Sequence, residues 1–194
     1  MWITCVLIAY MPILPTKTSL ISIDEIIKRA AIAEATSVAD LGCGRSVFFL
    51  YALSALVGKN GNVYGVDILP EAIDSARRDV IHHRLSHISI IQGDLEKENG
   101  VPIASNSLSA AFLINTISQS TDTQKMIKES ARLLLPQAKL IIVDWKKEAS
   151  PFGPLENQRI ESKHIIELLD IYELRVIDQF AAGPYHYGIV AEKN

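Results

Sequence analysis

The sequence predicts one α/β domain in which a mostly parallel sheet is covered by helices on both faces. Between residues 37 and 145, apolar runs of strand length alternate with stretches of helix length. The chain has 194 residues, of which 48% are apolar, and no linker rich in Pro, Gly or Ser divides it. We therefore expect one domain over residues 19–194, preceded by an apolar N-terminal segment of uncertain role at residues 1–18.

The individual elements follow from local patterns. Ser22 and Glu25 form a capping-box pattern, which predicts a first helix running to Ala33. The predicted parallel strands are Ser37 to Leu41, Asn62 to Asp67, Ile88 to Gln92, Leu108 to Asn115 and Lys139 to Trp145. The helices between them are Val47 to Val57, Pro70 to His83 and Thr123 to Leu134. Strands buried on both faces are nearly uniformly apolar, as these runs are.

The last third of the chain predicts a reversal of strand direction. A helix from Ser162 to Leu169 leads into a strand from Tyr172 to Phe180, and a second strand runs from Tyr187 to Glu192. The connection at Ala181 to Pro184 is too short to contain a crossover helix. We therefore expect the last of the seven strands to be antiparallel.

Composition excludes several classes of function. Lys and Arg total 19 and Asp and Glu total 22, so the chain lacks the basic surface that a nucleic-acid partner requires. Cys5 and Cys43 differ in context and no CxxC pair is present, which argues against disulfides and zinc and favours a reducing cytoplasm. His82, His83 and His87 are interpreted as a surface helix terminus, and no metal site is expected.

The first 16 residues carry no Asp, Glu, Lys or Arg. This stretch is shorter than the roughly 20 apolar residues that span a bilayer, and Pro12 and Pro15 interrupt it. A signal peptide would begin with basic residues, which are missing. We favour a segment packed on the domain, or an early start codon, over an anchor at a membrane surface.

A glycine-rich turn follows the first predicted strand, in the run from Asp40 to Gly44. Glycines at a strand end permit a tight turn and a close approach of the main chain to a ligand. A nicotinamide-binding fingerprint would have a third glycine where Val47 stands, and no Gly-Lys-Ser/Thr follows as in a Walker A loop. A nicotinamide-dependent reductase is therefore the weaker alternative.

Acidic residues end the next two strands. Asp67 lies 25 residues beyond Gly42, where a carboxylate can accept both hydroxyls of a ribose. Asp94 ends the third strand and can accept an exocyclic amine, while Leu95 can cover a flat ring. Together with Asp40, these side chains would repel a pyrophosphate. The pattern favours a ligand with positive charge.

The motif set resembles the class I S-adenosylmethionine-dependent methyltransferases. Asp40 to Gly44 is similar to their first motif, Asp67 to their ribose-binding acid and Gly93 to Leu95 to their adenine-side motif. Ala131 to Pro136 resembles the signature before the fifth strand. The most similar subgroup is the small type 11 methyltransferases, which are loosely similar to quinone-biosynthesis C-methyltransferases. The resemblance implies a doubly wound, Rossmann-like sheet of seven strands whose last strand is antiparallel and inserted before the sixth.

Carried over by position, the resemblance implies S-adenosylmethionine as cofactor. The implied cofactor-binding residues are Asp40, Gly42, Cys43, Gly44, Asp67, Ile68, Asp94, Leu95 and Asn115. Three positions depart from the family pattern: Arg45 replaces a small residue, Ser46 a glycine and Ser109 an acid. Arg45 is expected either to obstruct the glycine loop or to reach an anionic acceptor.

The expected reaction is in-line transfer of a methyl group to a small-molecule acceptor. His186 and Asp144 are the candidate catalytic residues on the acceptor side. The segment from Lys147 to Gln158 is expected to act as a lid or as a rigid surface loop. Arsenite is not expected as the acceptor, because it requires thiolate ligands and Cys43 alone lies near the site. The second alternative is a binding module of this fold without turnover.

Overall fold

The structure is a computed structural model that describes residues 20–148 and 150–194. The expectation for the segment at residues 1–18 falls outside the described residues. Seven strands form one sheet in the order β3-β2-β1-β4-β5-β7-β6. The strands are β1 Ser37–Leu41, β2 Asn62–Asp67, β3 Ile88–Gln92, β4 Leu108–Ile114, β5 Leu134–Trp145, β6 Leu174–Gly183 and β7 His186–Lys193.

Strand direction confirms the predicted mixed sheet. β1 to β5 pair in parallel, whereas β7 lies antiparallel to β5 on one side and to β6 on the other. The last strand is thus inserted before the sixth, as the resemblance implied. Because the carboxyl ends of parallel strands meet at one edge, the ends of β1, β2, β4 and β5 and the start of β7 lie along the same rim.

Helices cover both faces of the sheet. They are α1 Ile23–Ala30, α2 Phe48–Val57, α3 Pro70–His82, α4 Thr123–Leu133 and α5 Ser162–Ile171, with short 3₁₀ turns at Ile117–Gln119 and Glu156–Gln158. One buried apolar cluster joins the sheet to α1, α2 and α3, and a second joins the opposite face to α4 and α5. Within the described residues, none of the helices combines the length and apolarity needed to cross a bilayer.

The predicted capping box is wrong. The side chain of Ser22 makes no capping hydrogen bond, and its main-chain N–H donates to the Ala182 carbonyl at 2.8 Å instead. The carboxylate of Glu25 pairs with Arg29 one turn later. The helix also ends at Ala30, three residues before the predicted Ala33, because Ala31 adopts a left-handed conformation.

The predicted turn at Ala181 to Pro184 is placed too early. β6 continues through Gly183, and the hairpin turns at Pro184 and Tyr185. Gly183 lies against the Leu20 main chain, since an added Cβ would lie 2.0 Å from the Leu20 carbonyl oxygen. Contact with the residues before α1 therefore extends the strand, and this contact has no local sequence signal.

The loop after β3 is held by a buried ion pair on α4. The carboxylate of Glu129, 3% exposed, accepts hydrogen bonds from the main-chain N–H groups of Asn99 and Val101. The Arg132 guanidinium donates to both oxygens of Glu129, at 2.7 and 2.9 Å, and also to the Val101 carbonyl. This network fixes the segment that follows Asp94.

Replacing Glu129 with alanine should destabilise the fold. The substitution removes the carboxylate that pairs with the Arg132 charge and leaves the buried Val101 N–H and the part-buried Asn99 N–H without their acceptor, so we expect the free energy of unfolding to fall by about 3 kcal/mol. The matched control is Glu98→Ala, whose partner Lys128 is 55% exposed, and its cost should be below about 1 kcal/mol. Urea denaturation measures both; equal losses would contradict the assigned role of Glu129.

Candidate functional site

The glycine turn after β1 is tied to the end of β2. The main-chain N–H groups of Gly42 and Cys43 both donate to the Val66 carbonyl, at 2.7 and 2.9 Å. The N–H of Gly44 donates to Asp67 Oδ2 at 2.8 Å. The bare main chain of the turn and the carboxylate of Asp67 therefore lie side by side, as the motif predicts.

Glycine at position 42 is required by the side chain of Thr116, which follows β4. Gly42 has a φ of +91°, and an added Cβ would lie 2.5 Å from Thr116 Cγ2. Thr116 is itself buried and donates from Oγ1 to the Leu41 carbonyl at 3.1 Å. Sequence reasoning missed Thr116, because nothing in the local pattern shows that it packs on the turn.

Two carboxylates are buried next to the turn. Asp67 is 9% exposed, and its Oδ1 accepts a hydrogen bond from the Leu69 N–H at 2.9 Å. Asp40 is 5% exposed, and burial together with the nearby Asp67 raises its pKa to about 7. A positive ligand between them would offset both effects, because it stabilises the ionised form.

The adenine-side residues are divided between rim and core. Asp94 is partly buried and accepts the Glu96 N–H at 2.9 Å. Leu95 is 7% exposed and packs in the apolar cluster of the α4 face. Ile68 and Leu69, directly after Asp67, are 54% and 55% exposed. These two residues therefore supply the exposed apolar surface at this end of the site.

Asn115 adopts an unusual conformation at the end of β4. Its φ is +57°, in the left-handed region, and its N–H donates to the Val143 carbonyl at 2.8 Å. The side-chain Oδ1 is buried and has no hydrogen-bond partner within the described residues. Strained residues and unsatisfied buried polar atoms concentrate at functional sites. Both observations single out Asn115.

Asp144 holds the strand ends together. It is fully buried, and its two oxygens accept from the N–H groups of Trp145 and Ser118, at 2.8 and 3.2 Å. Burial raises its pKa, although these hydrogen bonds oppose the shift. In this position Asp144 connects the end of β5 to the 3₁₀ turn after β4.

His186 lies inside the protein. Its ring is fully buried against the Trp145 indole, with 4.0 Å between centroids, and neither ring nitrogen has a partner of normal hydrogen-bond geometry within the described residues. Burial lowers its pKa to about 4, assisted by the charges of Lys146 and Arg159 and opposed by the Leu20 main chain. The ring is therefore neutral at pH 7 and is not open to the rim.

The segment after β5 is organised by Arg159, which sequence reasoning also missed. This guanidinium is 5% exposed and donates to main-chain carbonyls of Lys146, Glu148, Phe152 and Pro154. Gly153 packs on Trp145, where a Cβ would lie 2.6 Å from the indole. The predicted lid is thus tied internally to one buried charge. No motif in the sequence indicates that Arg159 binds these carbonyl groups.

The side chain that departs from the family pattern at the glycine turn, Arg45, does not fill the candidate site. Arg45 is exposed and has no hydrogen bond or ion pair among the described residues. An added Cβ on Gly44 would meet no atom within 4 Å, so space is open beside the turn.

Of the histidines, His87 bonds to Ser54 at 2.7 Å, and the described residues contain no cluster of three metal-ligating side chains.

Sheet order, glycine turn and acids at successive strand ends define a Rossmann-like domain of the class I methyltransferase type. The family model described as "Methyltransferase domain" matches residues 32–174, and the chain belongs to this family. A solved S-adenosylmethionine-dependent methyltransferase from Aquifex aeolicus superposes with a TM-score of 0.83 and 26% identity, covering 93% of this chain and 94% of that chain. The cofactor of the domain is S-adenosylmethionine.

Two curated relatives are longer proteins, and this chain matches only part of each. An arsenite methyltransferase of Halobacterium salinarum is 28% identical over 123 residues, which is 63% of this chain and 30% of the relative. A 2-phytyl-1,4-naphtoquinone methyltransferase of Trichormus variabilis is 30% identical over 109 residues, or 56% of this chain and 46% of the relative. The chain thus matches less than half the length of either protein.

The residues present fit S-adenosylmethionine. The open space beside Gly44 lies next to a main chain without side chains, and the orphaned Asn115 Oδ1 can accept a hydrogen bond. Each oxygen of Asp67 has a free lone pair beyond its one main-chain partner. These groups accept hydrogen bonds and stabilise positive charge, which suits the hydroxyl, amine and sulfonium groups of this cofactor.

Substitutions at the two glycines should have different costs. Gly42→Ala combines a disfavoured φ with the contact to Thr116, so the free energy of unfolding should fall by about 3 kcal/mol. Gly44→Ala meets no atom, and its cost should be about 1 kcal/mol from backbone conformation alone. Thermal and urea denaturation compare the two variants. A larger loss for Gly44→Ala would contradict the packing described for Thr116.

Proposed function

We propose that this chain transfers a methyl group from S-adenosylmethionine to a small organic acceptor by in-line displacement. The observation that carries the proposal is the pair of buried carboxylates, Asp40 and Asp67, beside a turn whose N–H groups are fixed to β2. Bound S-adenosylmethionine supplies an electrophilic methyl group on a positively charged sulfur. The protein's task is to hold this group and the acceptor in line, which can lower the barrier by several kcal/mol.

In this proposal each candidate residue contacts a different part of the cofactor. Asp67 accepts the ribose hydroxyls, while its bond to the Gly44 N–H keeps the carboxylate in position. Asp94 accepts the adenine amine, with Leu95 and Ile68 beside the ring. Asn115 Oδ1 and the main chain of Gly42, Cys43 and Gly44 face the methionine part. Asp40 stabilises positive charge without a direct contact being required.

The acceptor side is assigned to the ends of β4, β5 and β7. Asp144 positions the turn after β4 through the Ser118 N–H, so its role in methyl transfer is positioning. His186 as base would need an opening of its buried contact with Trp145. An acceptor that reacts without losing a proton needs no base, and the burial of both residues favours such an acceptor.

An organic acceptor is favoured over arsenite. Arsenite binding in proteins requires several thiolates. Cys43 is buried, and burial followed by the charges of Asp40 and Asp67 raises the pKa of its thiol, so the thiolate is strongly disfavoured. The net charge of -3 likewise gives no support to a nucleic-acid acceptor.

Cofactor binding is tested by calorimetry with S-adenosylmethionine and S-adenosylhomocysteine. The wild type should bind both, and Asp67→Asn should lose about 100-fold in affinity, which corresponds to two hydrogen bonds to a charged group at about 1.5 kcal/mol each. The matched control is Asp74→Asn on the exposed side of α3, which should bind as the wild type does. Absence of heat with either compound, or tight binding of NADH instead, would contradict the proposal.

Turnover is tested separately, because a binding module without turnover would pass the calorimetric test. The protein is incubated with methyl-tritiated S-adenosylmethionine and a cell extract. Label should appear in dialysable small molecules other than S-adenosylmethionine itself. This transfer should be lost when Asp67→Asn replaces the wild type. Label confined to protein or nucleic acid would contradict a small-molecule acceptor, and no transfer to any fraction would favour the binding module.

Binding of the cationic cofactor should depend on pH through Asp40. Because its pKa lies at about 7, the affinity for S-adenosylmethionine should rise with pH up to that value and level off above it. Asp40→Asn should remove this part of the pH dependence. Since an unfolded Asp titrates near 3.9, ionisation costs the wild type stability between about pH 4 and pH 7. The variant should therefore gain stability relative to the wild type as the pH rises across that range. Free energies of unfolding that change with pH in the same way for both proteins would contradict the role assigned to Asp40.

A further inference from the structure

Glu96, two residues after Asp94, joins the adenine side of the candidate site to the loop before α4. Its Oε1 accepts hydrogen bonds from the Ser120 hydroxyl and the Thr121 N–H, at 2.7 and 2.8 Å. Its Oε2 accepts a third hydrogen bond, from the Thr121 hydroxyl. These donors lie 24 or 25 residues further along the chain. The side chain of Glu96 therefore fixes its own main chain to a different loop.

The main chain of Glu96 in turn holds the carboxylate of Asp94. The Glu96 N–H donates to Asp94 Oδ1 at 2.9 Å, and the Asp94 N–H donates to the Gly100 carbonyl at 3.1 Å. Among residues 20–148 and 150–194, Asp94 Oδ2 has no hydrogen-bond partner. One oxygen of this partly buried carboxylate is thus oriented by the protein, and the other is left to accept a hydrogen bond from a ligand.

The loop that receives the Glu96 side chain is itself fixed to α4. The Asp122 N–H donates to Ser120 Oγ at 3.1 Å, and Asp122 Oδ1 caps the helix by accepting the Lys125 N–H at 3.1 Å. Side-chain caps of this kind stabilise the start of a helix. The buried face of α4 packs in one of the two apolar clusters of the sheet. Glu96 is therefore connected through Ser120 and Asp122 to the core.

The donors around Glu96 keep it ionised. Burial opposes ionisation, but the hydrogen bonds from Thr121 and Ser120 outweigh this effect and lower the pKa of the carboxyl. An ionised carboxylate accepts all three bonds and carries no proton that would compete with them. The connection between the two loops is therefore complete at neutral pH.

We propose that Glu96 is a positioning residue that makes the cofactor site selective for adenine. It holds Asp94 Oδ2 in place as the acceptor for the exocyclic amine, an assignment that rests on the proposed function. A base with an oxygen in place of this amine would bring a second acceptor against the fixed carboxylate, with no proton between the two. Selectivity depends on the fixed position, because a carboxylate that is free to turn can avoid this contact.

The experiment compares S-adenosylhomocysteine with S-inosylhomocysteine, in which an oxygen replaces the adenine amine. Calorimetry gives the ratio of the two dissociation constants for each protein. The wild type should prefer S-adenosylhomocysteine by about 100-fold. In Glu96→Ala this preference should fall to about tenfold, because the Asp94 carboxylate can then turn away from the base.

Two further variants separate positioning from a change of charge. Glu96→Gln keeps an oxygen for the Ser120 hydroxyl and the Thr121 N–H and can donate to the Thr121 hydroxyl, so it should keep the wild-type preference. Glu98→Ala removes the same charge from the same loop, where Glu98 pairs with the exposed Lys128, and should also keep it. Partial unfolding does not imitate the expected result, because it weakens both ligands by the same factor and leaves their ratio unchanged.

The possible results separate this proposal from the proposed function. If the wild type prefers S-adenosylhomocysteine and Glu96→Ala does so equally, the role of Glu96 is wrong and the cofactor site stands. Equal losses of preference in Glu96→Ala and Glu96→Gln would also contradict positioning by hydrogen bonds. If the wild type binds both compounds equally, Asp94 does not bind the amine, and this inference fails although the cofactor still binds. Binding of neither compound would contradict the proposed function and this inference with it.

Discussion

The site depends on the hydrogen bond from the Gly44 N–H to the carboxylate of Asp67. This bond, together with the two that the Val66 carbonyl accepts, fixes the turn after β1 to the end of β2. Thr116 then packs on Gly42 from the end of β4. Three strands thereby determine the position of one short stretch of main chain. A ligand that contacts this turn is placed relative to Asp67 and Asn115 without further adjustment.

The polar groups at this edge are costly for the folded state, and we propose that ligand binding offsets this cost. Asp40 lies in a position where burial opposes its ionisation, and among residues 20–148 and 150–194 the Asn115 Oδ1 and the Tyr187 hydroxyl have no hydrogen-bond partner. A burial pattern of this kind weakens a fold unless a bound molecule satisfies the groups. By contrast, Glu129 and Arg159 are fully hydrogen-bonded, and their role is to fix loops.

Prediction from sequence was most accurate where the signal is local. The bounds of β1, β2 and β3 are confirmed without change, because each is a short apolar run that ends at a turn or an acid. The start of β5 was predicted at Lys139, but the strand begins at Leu134, which pairs with Leu108 of β4. Pairing with a neighbouring strand therefore extends elements beyond the residues whose own pattern indicates them.

The candidate site was predictable to the same extent. Acids at the strand ends were identified because parallel topology alone brings strand ends together. The contact of Thr116 with Gly42, and the carbonyl cluster around Arg159, depend on residues far apart in sequence and carry no motif. The burial of His186 follows from the register that places it opposite Trp145, which a single sequence does not specify. Local chemistry thus identified the candidate residues at this edge of the sheet, and tertiary packing decided which of them are buried.

The most direct test of this account is a crystal structure of the protein with S-adenosylhomocysteine. We expect the ribose hydroxyls within hydrogen-bond distance of Asp67, with the bond between that carboxylate and the Gly44 N–H still present. The homocysteine part should lie along the turn beside Asn115. A nucleoside bound elsewhere, or an Asp67 side chain turned away from both the ribose and Gly44, would contradict the account.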